Sequence, residues 1–159
     1  MRIFGRAATA ALLALVLVFI PPPAARPDDH AVRGALDVVS QNGTHRFMVE
    51  VASDDATRAR GLMFRATLGD DEGMLFTYAD PRAILMWMRS TYVPLDMLFI
   101  GTDGRVSHIN SRAEPLSEAV ISSDGEVQGV IEIKGGRAAE LGIGVGDQVQ
   151  HPSVKHPAE

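Results

Sequence analysis

The stretch from Arg65 to Asp96 carries the side chains best suited to hold or turn over a polar molecule. Trp87 offers a stacking face, Arg89 a planar cation, Thr91 a hydroxyl and Asp96 a carboxylate, with Arg65 upstream as a second cation. On a strand from Ile84 to Arg89, alternate residues share a face, so Trp87 and Arg89 are neighbours and Ile84, Met86 and Met88 face the other way. A cleft lined by Arg65, Trp87, Arg89, Thr91 and Asp96 would stack on and hydrogen-bond a small polar ligand. The structural reading of the same residues places Trp87 in the core and pairs Arg89 with Asp96 or another carboxylate to fix the loop. An enzyme built here would use Asp96, assisted by Arg89, as a general base on a polar substrate.

Six of the 7 methionines lie between Met48 and Met97. Thioethers are soft ligands suited to Cu(I), which makes Met86, Met88 and Met63 a metal-binding alternative. Methionine is equally an adaptable core filler, and these positions sit among Leu, Ile and Phe. With no cysteine, thiolate nucleophiles, disulfides and cysteine metal sites are excluded. His30, His45, His108, His151 and His156 form no local metal motif. The serine-hydrolase elbow, the H-E-x-x-H zinc motif, the phosphate loop and S-x-x-K are all absent. Gly142 to Asp147 lacks the flanking strand and long helix of a dinucleotide loop, and reads as turns before a last strand. The sequence therefore implies no cofactor and leans away from catalysis.

The elements that must position these residues are mostly strands. Asn42-Gly43, Asp103-Gly104 and Asp124-Gly125 each separate β-type stretches and predict three hairpins with type I′ turns. The first joins Leu36–Ser40 to His45–Val51, where Phe47, Val49 and Val51 alternate with Arg46, Met48 and Glu50. The second joins Asp96–Ile100 to Arg105–Asn110. Met97, Leu98, Phe99 and Ile100 are apolar on both faces, so that strand is covered on both sides. From Val127 to Lys134 alternation returns, with Val127, Gly129, Ile131 and Ile133 together. Met74–Tyr78 and Ile84–Arg89 predict two further strands. Ser53, Asp54 and Asp55 cap a short helix through Arg60, and a second fits Arg137–Leu141. Six or seven strands with two short helices predict an α+β, predominantly β, barrel or sandwich spanning residues 36–150, with a tail from His151 to Glu159.

Met1–Ala25 has Arg2 and Arg6 ahead of an apolar run from Ala7 to Ile20, the order of a secretory signal. That run is about 21 Å of helix at ~1.5 Å per residue, short for a membrane span. Cleavage, a flexible leader from Arg26 to Ala35, and a periplasmic location are expected; an uncleaved segment would make this a membrane anchor. The chain carries −5 at pH 7, and losing Arg2 and Arg6 takes it to −7. Such an acidic domain argues against nucleic acid; the partner expected from the candidate cleft and the export signal is a small polar ligand or an envelope protein.

Arg58-Ala-Arg60-Gly61-Leu62-Met63-Phe64-Arg65, then Gly73-Met74-Leu75-Phe76, Trp87-Met88-Arg89-Ser90-Thr91, Pro94-Leu95-Asp96 and the closing Gly142–Val149 form an ordered series. It resembles the domain of unknown function 192 family over about Leu36 to Val149. That family's pattern runs approximately R-A-x-G-L-M-x-R, G-M-L-F, F-W-M-K-N-T, I-P-L-D-I-L-F-I and G-x-x-x-G-D-x-V. Met86, Arg89 and Ser90 stand where the pattern has Phe, Lys and Asn. The resemblance implies a small β-rich domain with no activity attached. Separately, Gly135–Val149 resembles the helix-turn-strand ending of PDZ domains, which would imply peptide binding by strand addition.

Overall fold

The structure, a computed structural model, describes residues 32–157. Its elements are β1 (Arg33–Ser40), β2 (Gly43–Ala52), α1 (Asp55–Arg60), β3 (Glu72–Met86), β4 (Leu95–Ile100), β5 (Val106–Ala113), β6 (Ile121–Lys134), α2 (Arg137–Leu141) and β7 (Gln148–Gln150). The expected signal at Met1–Ala25 lies outside the described residues, as does most of the leader; strand pairing begins at Arg33, opposite Glu50.

The seven strands form one mixed sheet in the order β5-β4-β6-β3-β2-β1-β7. Only β2 and β3 are parallel, because α1 and the turn after it carry the chain back across the sheet before β3 begins. The sheet curls into a half-barrel whose two edges meet at one end: Arg105 bridges Gln148, and Val149 N–H donates to the Gly104 carbonyl at 3.0 Å. The expected α+β, predominantly β, class is what the chain adopts.

The first two dipeptides turn hairpins, although glycine alone takes the positive φ there (Gly43 at 128°, Gly104 at 78°), so neither is a type I′ turn. The third does not turn the chain. Asp124 (φ 56°) and Gly125 (φ 155°) lie within β6, opposite a register shift between Ala83 and Leu85 of β3. Their left-handed backbone absorbs extra residues as a bulge and lets a single strand continue. The two strands expected at Met74–Tyr78 and Ile84–Arg89 are likewise one 15-residue strand, β3, bulged between Thr77 and Arg82. Pro81 falls in that bulge, where it breaks no ladder hydrogen bond.

Two apolar clusters hold the sheet. One draws on all seven strands and α2, including Leu36, Phe47, Leu75, Leu98, Ile131 and Val149, and fills the concave side. The other, with Met74, Phe76, Ile84, Met88, Met97, Phe99 and Val130, is covered by Leu62 and Leu68 from the turn after α1. β4 is buried at every position, as its two-sided apolar pattern predicts. The segment after Gln150 is part of the domain: Val154 is buried in the concave cluster, and the Gln128 side chain donates to the Lys155 carbonyl and accepts its N–H.

Candidate functional site

Helix α1 forms where Asp54 and Thr57 make a reciprocal capping box, with the Asp54 carboxylate accepting the Thr57 N–H at 2.9 Å. It stops at Gly61, whose φ of 49° reverses the chain. Arg58 then ties the helix to β3. Its guanidinium donates to the carbonyls of Ser53 (2.6 Å) and Thr77 (2.9 Å), pairs with Asp55, and lies 5.0 Å over the Tyr78 ring. Between this wall and the far end of β3 opens a cleft of about 230 Å³. Tyr78, Met86 and Trp87 line it on the β3 side, Arg58 and Met63 on the helix side, and Thr91, Phe76 and Glu132 complete it.

Glu132 is the unusual member. It is 4% exposed, and its cross-strand neighbours are Met74 on β3 and Met97 on β4. A carboxyl group so placed pays for the loss of water unless something replaces it. Arg33 and Arg65 meet that need for the other buried glutamate, Glu50: burial raises its pKa, but the two arginines outweigh burial and hold it below the usual range. Glu132 has no such partner among the described residues, and burial alone pushes its carboxyl up to about 8. It is therefore mostly neutral at pH 7 and faces a cleft whose apolar and aromatic walls also carry Asp55, Arg58 and Arg60. Desolvation also raises the phenol of Tyr78, which feels the Glu132 charge.

The five residues singled out in the sequence divide between two roles. Trp87 is 43% exposed and lines the cleft, against the reading that put it in the core. Arg89 stacks over its ring at 5.4 Å. Thr91 is buried and also lines the cleft.

Asp96 and Arg65 are elsewhere. Asp96 is fully buried, and its oxygens accept the backbone N–H groups of Arg112 (2.8 Å), Gly136 (2.8 Å) and Ala138 (2.9 Å). It anchors the start of α2 and the bend at Arg112, does not pair with Arg89, and at 0% exposure lacks the access a general base needs. Arg65 pairs with Glu50. Of the metal alternative, Met63 and Met86 line the cleft, whereas Met88 is buried in the core. Sequence reasoning missed Glu132, Tyr78 and Arg58. For Glu132 a signal existed: a strand beside the doubly covered Met97–Ile100 must itself be covered, so its alternate residues do not all reach water.

The turn at Ser90 gives a physical reason for the Asn in the family pattern. Ser90 has φ of 57°, its carbonyl accepts the Phe64 N–H at 2.8 Å, and the Thr91 N–H closes on Met88 at 3.0 Å. A left-handed backbone here favours Asn over other non-glycine residues.

Half-barrel, long bulged β3 and α1-walled cleft together describe a small β-rich domain. The chain belongs to the domain of unknown function 192 family, described as uncharacterized ACR, whose model matches residues 37–151. Among curated proteins, none matches. Two crystal structures are similar throughout. One, from Novosphingobium aromaticivorans DSM 12444 and described as a protein of unknown function, is 41% identical, with a TM-score of 0.77 over 82% of this chain and 94% of that one. The other, from Sinorhizobium meliloti 1021 and described as a candidate transcription regulator, is 38% identical, with a TM-score of 0.75 over 78% and 97%.

Proposed function

We propose that this is an exported, non-catalytic binding domain whose cleft between α1 and β3 takes a small polar ligand. The observation that carries the reading is Glu132: a buried carboxyl without a partner among the described residues, opening into a cleft that an exposed tryptophan also lines. A few polar groups set in apolar and aromatic walls are the usual make-up of small-molecule sites. At about 230 Å³ the cleft falls below the roughly 300–1,000 Å³ of drug-sized sites, which suits a single-ring or short-chain metabolite. Regulation of transcription, the description given to one structural neighbour, finds no support in a chain of net charge −5. Export rests on the signal-like order of Met1–Ala25.

A thermal-shift screen of the full chain with sugars, amino acids, small carboxylates, peptides and Ag(I) tests the reading. A ligand at ~100 times its Kd stabilises by about 2.7 kcal/mol. The expected result is a stabilising organic molecule whose effect is lost in Trp87→Ala. Stabilisation by Ag(I) alone, lost when Met63 and Met86 are changed to Leu, would replace this reading with soft-metal binding. Stabilisation only by peptides, indifferent to Trp87→Ala, would replace it with strand addition at a sheet edge.

A further inference from the structure

Resting on the cleft reading above, we propose that the ligand is a small amine bearing an acidic group at its other end, its ammonium seated on Glu132 and its anionic end at Arg89. Glu132, with Met74 and Met97 as cross-strand neighbours, has no hydrogen bond or ion pair among the described residues, so in the empty cleft only water at its opening solvates the carboxyl. An ammonium group supplies a counter-charge and hydrogen-bond donors together.

The charged groups around the cleft set the other end. From α1 and its continuation come Asp55, Arg58 and Arg60, and from β3 comes Tyr78. Arg58 is taken up by Asp55 and two backbone carbonyls. β4 presents Met97 to Glu132, and Lys134, next on the same face of β6, is exposed and bonded to Asp70. Arg89 differs: it is exposed, stacks on the Trp87 that lines the cleft, and its guanidinium makes no ion pair or hydrogen bond among the described residues. Depth therefore orders the site, with the Glu132 carboxyl within and the exposed Arg89 cation, beside Trp87, at the rim. A purely cationic ligand would meet the rim arginine unfavourably, and a purely anionic one would find no charge partner at the floor.

Proton linkage distinguishes this ligand class from others in the same cleft. Glu132 is mostly protonated when the cleft is empty at pH 7, so seating an ammonium releases close to one proton. Affinity should then rise by about tenfold per pH unit on the acid side of 8 and level off above it.

The experiment is calorimetry on the full chain with glycine, β-alanine and 4-aminobutyrate, and with butylamine and butyrate as single-ended probes, in buffers of different ionisation enthalpy from pH 6 to 9. Expected are proton release with at least one amino acid, weaker binding of butylamine with the same release, at least fivefold weakening of the amino acid in Arg89→Ala, and loss of pH dependence in Glu132→Gln. The wild-type linkage stands as a readout even if a variant folds poorly. Binding of butyrate in preference, with affinity falling above pH 8, would overturn the proposal and make neutral Glu132 a donor to an acid. No binding by any probe would overturn it too. The broader cleft reading survives that result if the thermal-shift screen still yields a ligand dependent on Trp87, and falls with it otherwise.

Discussion

At the scale of single residues, two carboxylates invert the roles their sequence contexts imply. Asp96, beside a proline-containing turn, reads as the reactive acid but closes three backbone donors in the interior. Asp96→Ala would leave those N–H groups buried without acceptors, and hydrogen bonds to a charged group contribute about 1.5–3 kcal/mol each. The expected loss is about 3 kcal/mol or more by urea denaturation, with Asp96→Asn falling between it and wild type. Glu132 reads as a solvent-facing member of an alternating strand, yet is the buried acid of the cleft. Neither assignment was legible locally, because each depends on what a distant segment lays over the residue. Ser90 is the opposite case: its φ of 57° is a local matter, and Ser90→Asn should stabilise the fold by roughly 0.5–1 kcal/mol, given the cost of a left-handed backbone in other residues. A shift of the thermal midpoint upward checks it.

At the scale of elements, most of the fold follows from short-range rules. The capping box places α1, and the two-sided apolar run gives β4. What failed was the reading of Asp124-Gly125 as a turn. The dipeptide supplies positive φ in a bulge as readily as in a hairpin, and whether the chain reverses depends on the length of the partner strand β3, which the split between Tyr78 and Ile84 concealed. The cleft depends on α1, which has no buried residue to hold it. Its N-cap therefore matters more than usual: Asp54→Ala should cost about 1 kcal/mol and weaken any cleft ligand as Arg58 loses its position over Tyr78. Far-ultraviolet dichroism is a poor reporter of so short a helix; faster amide exchange at Arg58 and Gly61, whose N–H groups bond the Asp54 and Thr57 carbonyls, reads it directly.

At the scale of the whole molecule, the half-barrel is closed at one end by the segment read from sequence as a tail. Removing residues 151–159 would expose the concave cluster at Val154 and strip the buried Gln128 amide of its Lys155 partners. Burial of a valine is worth about 1.5–3 kcal/mol, so truncation should lower the unfolding free energy by at least that much in a chemical melt. Signals for this docking were slight, since one Val among His, Pro and Ser carries no periodicity. The account turns on Glu132 being an uncompensated carboxyl in the empty protein. Its folded pKa, about 8, lies above its unfolded value, so the folded state holds the proton more tightly; stability is full below the unfolded pKa of about 4.5 and is lost as pH rises toward 8. The most direct measurement is the unfolding free energy of wild type and Glu132→Gln across pH 4 to 9. The wild type should fall relative to the variant by up to about 1.4 kcal/mol per pH unit between pH 5 and 8, whereas parallel profiles would mean that Glu132 is already solvated or paired and would contradict the account.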